Sequence, residues 1–359
     1  MSPKTGLFYA ILVLILALYA CVDQIDLPAT SLDGPKLVVQ GQLVTGDYRY
    51  VEVTLDRAAD FSVGSLPQPV LGARVRLVTE TNEQVDLFEI APGTHFLSGP
   101  DLTLPISYGT QYRVEIDLAD GLQYQSQWET LLPAPQPDSM SIEIVSREVL
   151  NRDDQREIKD FVRFSIYTPA AIDQSPSFLK WDLESIYRLD ETPPPDGVPG
   201  PGPATCYISR DLSLEEVLVF NGNESSNGRV DGFFLTEEEI DSRFALGFLL
   251  NVTQQSLTAA AFEYWDQVSK TVGLSGGLFE PTPGTINGNI INISDPEEEV
   301  FGFFYVTERQ LVQRFVDPDT AGRPTGACGA SGLNAGSLTC NNCLSIPRST
   351  TVIPDGWGP

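Results

Sequence analysis

The sequence predicts a mainly β protein of two domains, a β-sandwich followed by a larger β-rich region with one or two helices. Three observations predict it. Short runs of alternating apolar and polar residues, rich in valine and isoleucine, recur from residue 36 onward, as half-buried strands require. Alternate prolines, Pro133, Pro135 and Pro137, break the chain between two such regions. One later segment repeats its apolar residues at helical spacing instead.

In the first region the strand runs are residues 37–43, 51–55, 73–78, 94–97, 112–118 and 122–128, with Asp120-Gly121 as a hairpin turn between the last two. About seven short strands over residues 36–131 is the spacing of a sandwich of the immunoglobulin-like or carboxypeptidase-regulatory-like kind. Residues 132–138 read as a stiff proline-rich linker, because alternate prolines cannot pair in a central strand. Residues 139–359 form the second predicted domain. Its strand runs are 141–145, 161–167, 179–183, 285–293, 300–306 and 310–316. Thr236 with Glu239 has the form of a capping box and predicts a short helix through about Arg243. Leu257, Ala260, Ala261, Tyr264, Trp265 and Val268 recur at i, i+3, i+4, i+7, i+8 and i+11. That single stripe predicts a helix ending near Gly273 and packed on a sheet.

The first 20 residues are read apart from the fold. Lys4 precedes an uncharged apolar run, residues 7–20, and Cys21 follows directly after Ala20. A basic start, a short apolar run and a small residue before the break form a secretory signal. The cysteine after the break resembles the bacterial lipobox, in which that thiol is acylated and becomes the new N-terminus. Fourteen residues of helix rise about 21 Å, short of a bilayer core of about 30 Å, so the run does not predict a membrane span. Residues 21–35, with Asp23, Asp26 and Asp33, read as an acidic tether.

Composition narrows the function. The formal charge is -27, which repels nucleic acid and anionic surfaces and predicts no nucleic-acid partner. Hydrophobic residues make up 42% of the chain, enough for a packed core. With Cys21 set aside for lipid, Cys206, Cys328, Cys340 and Cys343 remain, an even number that favours two disulfides in an exported chain. Three pairings are open, and each of them ties Cys206 to the tail. Cys340 and Cys343 have C-x-x-C spacing, but a second such pair for a zinc site is missing.

Catalytic patterns are weak. Gly273-Leu274-Ser275-Gly276-Gly277 matches G-x-S-x-G, but it follows a helix and precedes Pro281, and the only histidine, His95, lies upstream. A lone histidine makes no histidine-rich metal site, and His95 reads as a strand residue. The acidic runs 295–299 and 317–319 lack the spacing of a calcium loop. No cofactor, metal or catalytic residue is predicted. The expected ligand or partner contacts are Tyr264, Trp265, Phe279 and Tyr207, together with the Pro/Gly-rich loop 191–205, since loops on rigid β scaffolds carry binding.

Several segments together resemble a Bacteroidota lipoprotein family, domain-of-unknown-function family 4249. They are Leu37-Val38-Val39-Gln40-Gly41, Tyr112-Arg113-Val114-Glu115-Ile116, the linker from Pro133 to Ser139, and a continuous stretch through Phe262-Glu263-Tyr264-Trp265, Gly277-Leu278-Phe279-Glu280-Pro281, Ile286-Asn287-Gly288-Asn289-Ile290, Asp295-Pro296-Glu297-Glu298 and Val300-Phe301-Gly302-Phe303-Phe304. Cys340, Cys343 and residues 354–357 fit as well. The resemblance implies an outer-membrane or surface lipoprotein, often encoded beside TonB-dependent transporters, with no enzymatic residues to carry over. The expected function is a non-catalytic accessory or substrate-binding partner of such a transporter, attached to the membrane by its lipid. The alternatives are a surface glycan hydrolase using paired carboxylates and a structural or adhesive surface protein.

Overall fold

The computed structural model describes residues 36–58, 66–151, 153–192, 203–213, 216–272, 286–328 and 338–358. Cys21, the tether, Phe279, the glycine run 273–277 and most of the 191–205 loop lie outside the described residues.

The chain is mainly β, as its alternation predicts. The first region contains β1 (Leu37–Thr45), β2 (Tyr50–Arg57), β3 (Arg74–Thr79), β4 (Thr94–Ser98), β5 (Gln111–Asp117) and β6 (Gln123–Ser126). The second contains β7 (Ser139–Leu150), β8 (Arg156–Pro169), β9 (Phe178–Asp190), β10 (Thr205–Asp211), β11 (Arg229–Glu239), β12 (Phe248–Leu257), the helix α1 (Ala259–Val272), β13 (Ile290–Asn292) and β14 (Phe301–Val316). One large sheet runs β10-β9-β12-β14-β1-β2-β4, with Phe88–Ala91 as the edge beyond β4 and Ser349–Thr350 beyond β10. A second sheet, β13-β6-β5-β3, faces the β1-β2-β4 end, and the three-stranded sheet β7-β8-β11 stands apart from both in pairing.

The first core does not close within residues 36–131. β14 returns from late in the chain to pair in parallel with β1, from Val38 opposite Phe301 to Thr45 opposite Glu308. β13 adds to β6, with Ile290 opposite Ser126. Ile290, Val300, Phe304 and Val306 therefore fill the same core as Leu37, Val53, Tyr112 and Tyr124. The far half of β14 serves a second core, where Val316 packs with Phe164, Trp181, Phe244 and Phe248. A parallel neighbour needs a long crossover, and here the crossover is most of the second region. Residues Leu37–Pro359 accordingly cluster as one compact unit.

The prolines keep residues 132–138 out of strand structure, but the segment is strapped to the sheet. Ser256 Oγ donates to the Leu132 carbonyl at 2.6 Å, Gln254 Nε2 to the Pro135 carbonyl at 2.6 Å, and the Ala134 N–H to Glu308 Oε2 at 2.7 Å. Backbone groups without strand partners must find others when buried, and buried polar side chains of β12 and β14 supply them.

Residues 236–239 are strand, not helix, which corrects the capping-box expectation. Thr236 and Glu239 lie in β11 opposite Phe164 and Phe161. The acids that looked like a helix start make cross-strand ion pairs: Glu237 accepts from Arg163 at 3.0 Å and Arg147 at 2.8 Å, and Glu239 from Lys159 at 2.6 Å. A single 3-10 turn, Ser242–Phe244, follows, capped by the Asp241 side chain.

The expected strand over 285–293 contracts to Ile290–Asn292 among the described residues, and the two expected strands at 300–306 and 310–316 are one. Gly302 sits at a φ of 96°, and a Cβ there would come within 1.9 Å of the Val39 carbonyl oxygen. Only glycine fits this approach.

The cysteines form two disulfides, Cys206–Cys343 and Cys328–Cys340, so the C-x-x-C pair is split between two bridges. The first ties β10 to the tail, as every open pairing required.

Candidate functional site

The aromatic stripe of α1 packs on the large sheet and leaves a cleft beside it. Ala261 is buried, Phe262 stacks near Phe178, and Tyr264 stacks on Phe303 with ring centroids 4.8 Å apart. Trp265 meets Tyr264 and Tyr305 edge to face. The helix starts where Thr258 Oγ1 accepts the Ala261 N–H at 3.2 Å, an N-cap that fixes the wall.

The cleft has a volume of about 260 Å³. Tyr264, Trp265 and Val268 form its wall, and outward-facing residues of β1, β2 and β14 form its floor, among them Gln40, Gln42, Glu52, Thr54, Phe303 and Tyr305. The period of two along a strand puts Gln40 and Gln42 on one face. Their cross-strand partners, Thr54 and Glu52 on β2, and Phe303 and Tyr305 on β14, fall on that face too.

A polar network continues from the floor along the same face of the sheet. The Tyr305 hydroxyl sits 3.0 Å from Gln42 Oε1 and 3.3 Å from Gln255 Oε1. Arg309 donates to Gln42 Oε1 at 3.0 Å and to the Tyr50 hydroxyl at 2.5 Å. Asp182 accepts from Gln255 and from Lys180, and the Lys180 ammonium lies 4.8 Å from the centre of the Trp265 ring. Burial pushes the Tyr305 hydroxyl far up, with the Asp182 charge adding to it and Arg309 opposing. Burial likewise raises Tyr50 and Tyr264. The phenols are therefore neutral at physiological pH. Trp265 Nε1 is buried with no hydrogen-bond partner among the described residues.

Such a lining can hold a ligand but offers little for bond making. Glu52 is the one carboxylate among the described lining residues. Among the described residues there is also no cluster of three histidine, cysteine or acidic side chains that could hold a metal, and no helix long and apolar enough to cross a membrane.

The structure brings together two of the sequence-predicted contacts, Tyr264 and Trp265. Tyr207 lies elsewhere, buried against Trp357 at a centroid distance of 4.9 Å, with Ile186 and Leu249. Phe279 and Cys21 lie outside the described residues. His95 is buried, its Nε2 donating to the Ala73 carbonyl at 3.0 Å. Sequence reasoning missed the floor, because Gln40, Gln42, Glu52 and Thr54 read as the solvent side of ordinary alternating strands. The signal was their shared parity, which points to one site only once the strand register is known.

No curated protein matches the chain. A solved structure, trypsin-activated alpha-2-macroglobulin from Escherichia coli, matches at 12% identity over 63% of this chain, with a TM-score of 0.20. The chain spans 15% of that protein, and so low a score carries no argument about fold or role. A family model described as a domain of unknown function (DUF4249) matches residues 22–310. That match covers most of the chain, including the first core, α1 and the floor of the cleft, and the chain belongs to this family.

Proposed function

We propose that this protein is a non-catalytic binding protein, held at the outer membrane by a lipid on Cys21, that takes up its ligand in the α1 cleft and serves a TonB-dependent transporter. The observation that carries the binding reading is the cleft itself, an aromatic wall over a floor of amide and hydroxyl groups preset by the Tyr305–Gln42–Arg309 network. Concave sites with aromatic walls and a few fixed polar groups are where proteins hold small molecules. Binding is favoured over glycan hydrolysis because hydrolysis needs two carboxylates about 5 to 10 Å apart across the substrate, and the described lining carries Glu52 alone. The lipid anchor is supported by the apolar run 7–20 ending at Cys21, and the transporter partnership by the setting that the family resemblance implies.

Affinity purification from gently solubilised outer membranes tests the partnership. Recovery of a TonB-dependent barrel at stoichiometric level is the expected result. Recovery of the protein alone, under conditions that keep a known transporter complex intact, would remove the transporter from the account.

A further inference from the structure

We propose that the cleft is one end of a longer face that binds a short, neutral oligosaccharide, an inference that rests on the binding reading above. The register of four neighbouring strand pairs puts Phe88, Phe96, Glu52, Gln42 and Tyr305 in one cross-strand row. Directly opposed residues share a face, so the row runs unbroken from the helix wall to the outer edge of the sheet. At about 4.8 Å per strand it extends roughly 19 Å, longer than one sugar ring. A second row, Thr94, Thr54, Gln40 and Phe303, lies beside it. Aromatic rings stand at both ends: Tyr264, Trp265 and Phe303 at the cleft, and Phe96 and Phe88 at the edge, where Phe88 is 62% exposed. Tyr50 stacks on Phe96 at 5.6 Å, which holds that ring.

The middle of the face is polar and waiting for partners. Among the described residues the side chains of Gln40, Glu52 and Thr54 make no hydrogen bond. Amides and hydroxyls both donate and accept, as sugar hydroxyls do, and the apolar faces of sugar rings suit aromatic platforms. An anionic ligand is disfavoured. Lys180 is engaged by Asp182 and Arg309 by Gln42 and Tyr50, while Glu52 and a net charge of -27 repel negative groups. A peptide is disfavoured as well. Extended peptides bind by adding to a free sheet edge, and the polar middle of the face lies on β1, β2 and β4, each paired on both sides, so a peptide could pair only at the edge strand Phe88–Ala91, away from the cleft.

The test is calorimetric titration of the mature lipidated protein in detergent micelles. The probes are neutral glucan, xylan and mannan oligosaccharides of two to five rings, uronic-acid oligosaccharides of equal length, and uncharged pentapeptides. Affinity is expected to rise with the number of neutral rings. Phe88→Ala is expected to weaken the longest chains about tenfold and leave disaccharides unchanged, the scale of one lost aromatic contact. Gln40→Ala is expected to weaken both. Both side chains are surface groups, and retained thermal unfolding confirms the fold of each variant. Tight binding of long chains that is indifferent to Phe88→Ala overturns the extended face. Binding of peptides or uronic acids in preference, sensitive to Gln40→Ala, overturns the ligand class and leaves the cleft as a binding site. No binding by any probe overturns the oligosaccharide inference, while the binding reading stands or falls by retention of another compound at the cleft.

Discussion

The Thr258 hydroxyl donates to Glu129 Oε2 at 2.6 Å while accepting the Ala261 N–H at 3.2 Å. A carboxylate that follows β6 in the first sandwich thus holds the cap of the helix that walls the cleft. Glu129 is only 3% exposed, and burial pushes its carboxyl up to about 7, with the Thr258 and Asn289 hydrogen bonds opposing.

That relationship makes stability pH-dependent in an unusual direction. A raised acid binds its proton more tightly in the folded state, so its contribution is complete below the ordinary value of 4.5 and is lost as pH rises through about 7. The loss is on the order of 3 kcal/mol. Urea unfolding at pH 5 and pH 8 measures it. Glu129→Gln, which still accepts from Thr258, is expected to abolish this part of the pH dependence and to be more stable than wild type at pH 8.

Asn289 ties the segment before β13 to β14 by imitating a strand neighbour. Its amide donates to the Phe304 carbonyl at 2.7 Å and accepts the Phe304 N–H at 2.9 Å, in a buried setting. Asn289→Ala leaves both backbone groups unpaired and is expected to cost about 2 to 4 kcal/mol. Chemical denaturation reads it.

The two disulfides differ in reach. Cys206–Cys343 closes 137 residues and Cys328–Cys340 closes 12, which chain entropy values at about 5 and about 3 kcal/mol. Replacing Cys206 and Cys343 with serine is expected to lower the melting temperature more than the same change at Cys328 and Cys340. Non-reducing peptide mapping is expected to recover these two bridges and no other.

Much of the fold was legible because it obeys simple periods. Alternation marked β1, β2, β3, β5 and β8, and the 3.6-residue stripe marked α1 and its aromatic wall. What stayed hidden has particular physical causes. β12 escaped because Gln254, Gln255 and Ser256 are polar yet fully or nearly buried, serving the linker carbonyls and Asp182 rather than solvent. Residues 236–239 misled because a threonine followed three residues later by glutamate suits both a helix cap and a strand with cationic neighbours; Arg163 and Lys159 decide for the strand. The division at 132–138 was misleading because the partner that completes the first core, β14, lies far along the chain. The wall of the cleft was therefore visible in sequence and its floor was not.

The proposed lipid attachment at Cys21 makes its own prediction. Cys21→Ser is expected to abolish incorporation of labelled fatty acid and to shift the protein from the membrane fraction to the soluble fraction. Labelled fatty acid retained on the Cys21→Ser protein would refute lipidation at this residue.

The central claim is that the α1 cleft binds a ligand without transforming it. Equilibrium dialysis of the purified mature protein against the small-molecule fraction of its growth medium, with mass analysis of both chambers, tests it most directly. The account predicts that one compound, or one family of compounds, is retained at unchanged mass by wild type and is not retained by Gln40→Trp, which puts a bulky ring on the floor of the cleft. Retention that ignores Gln40→Trp, or the appearance of cleavage products, would contradict it.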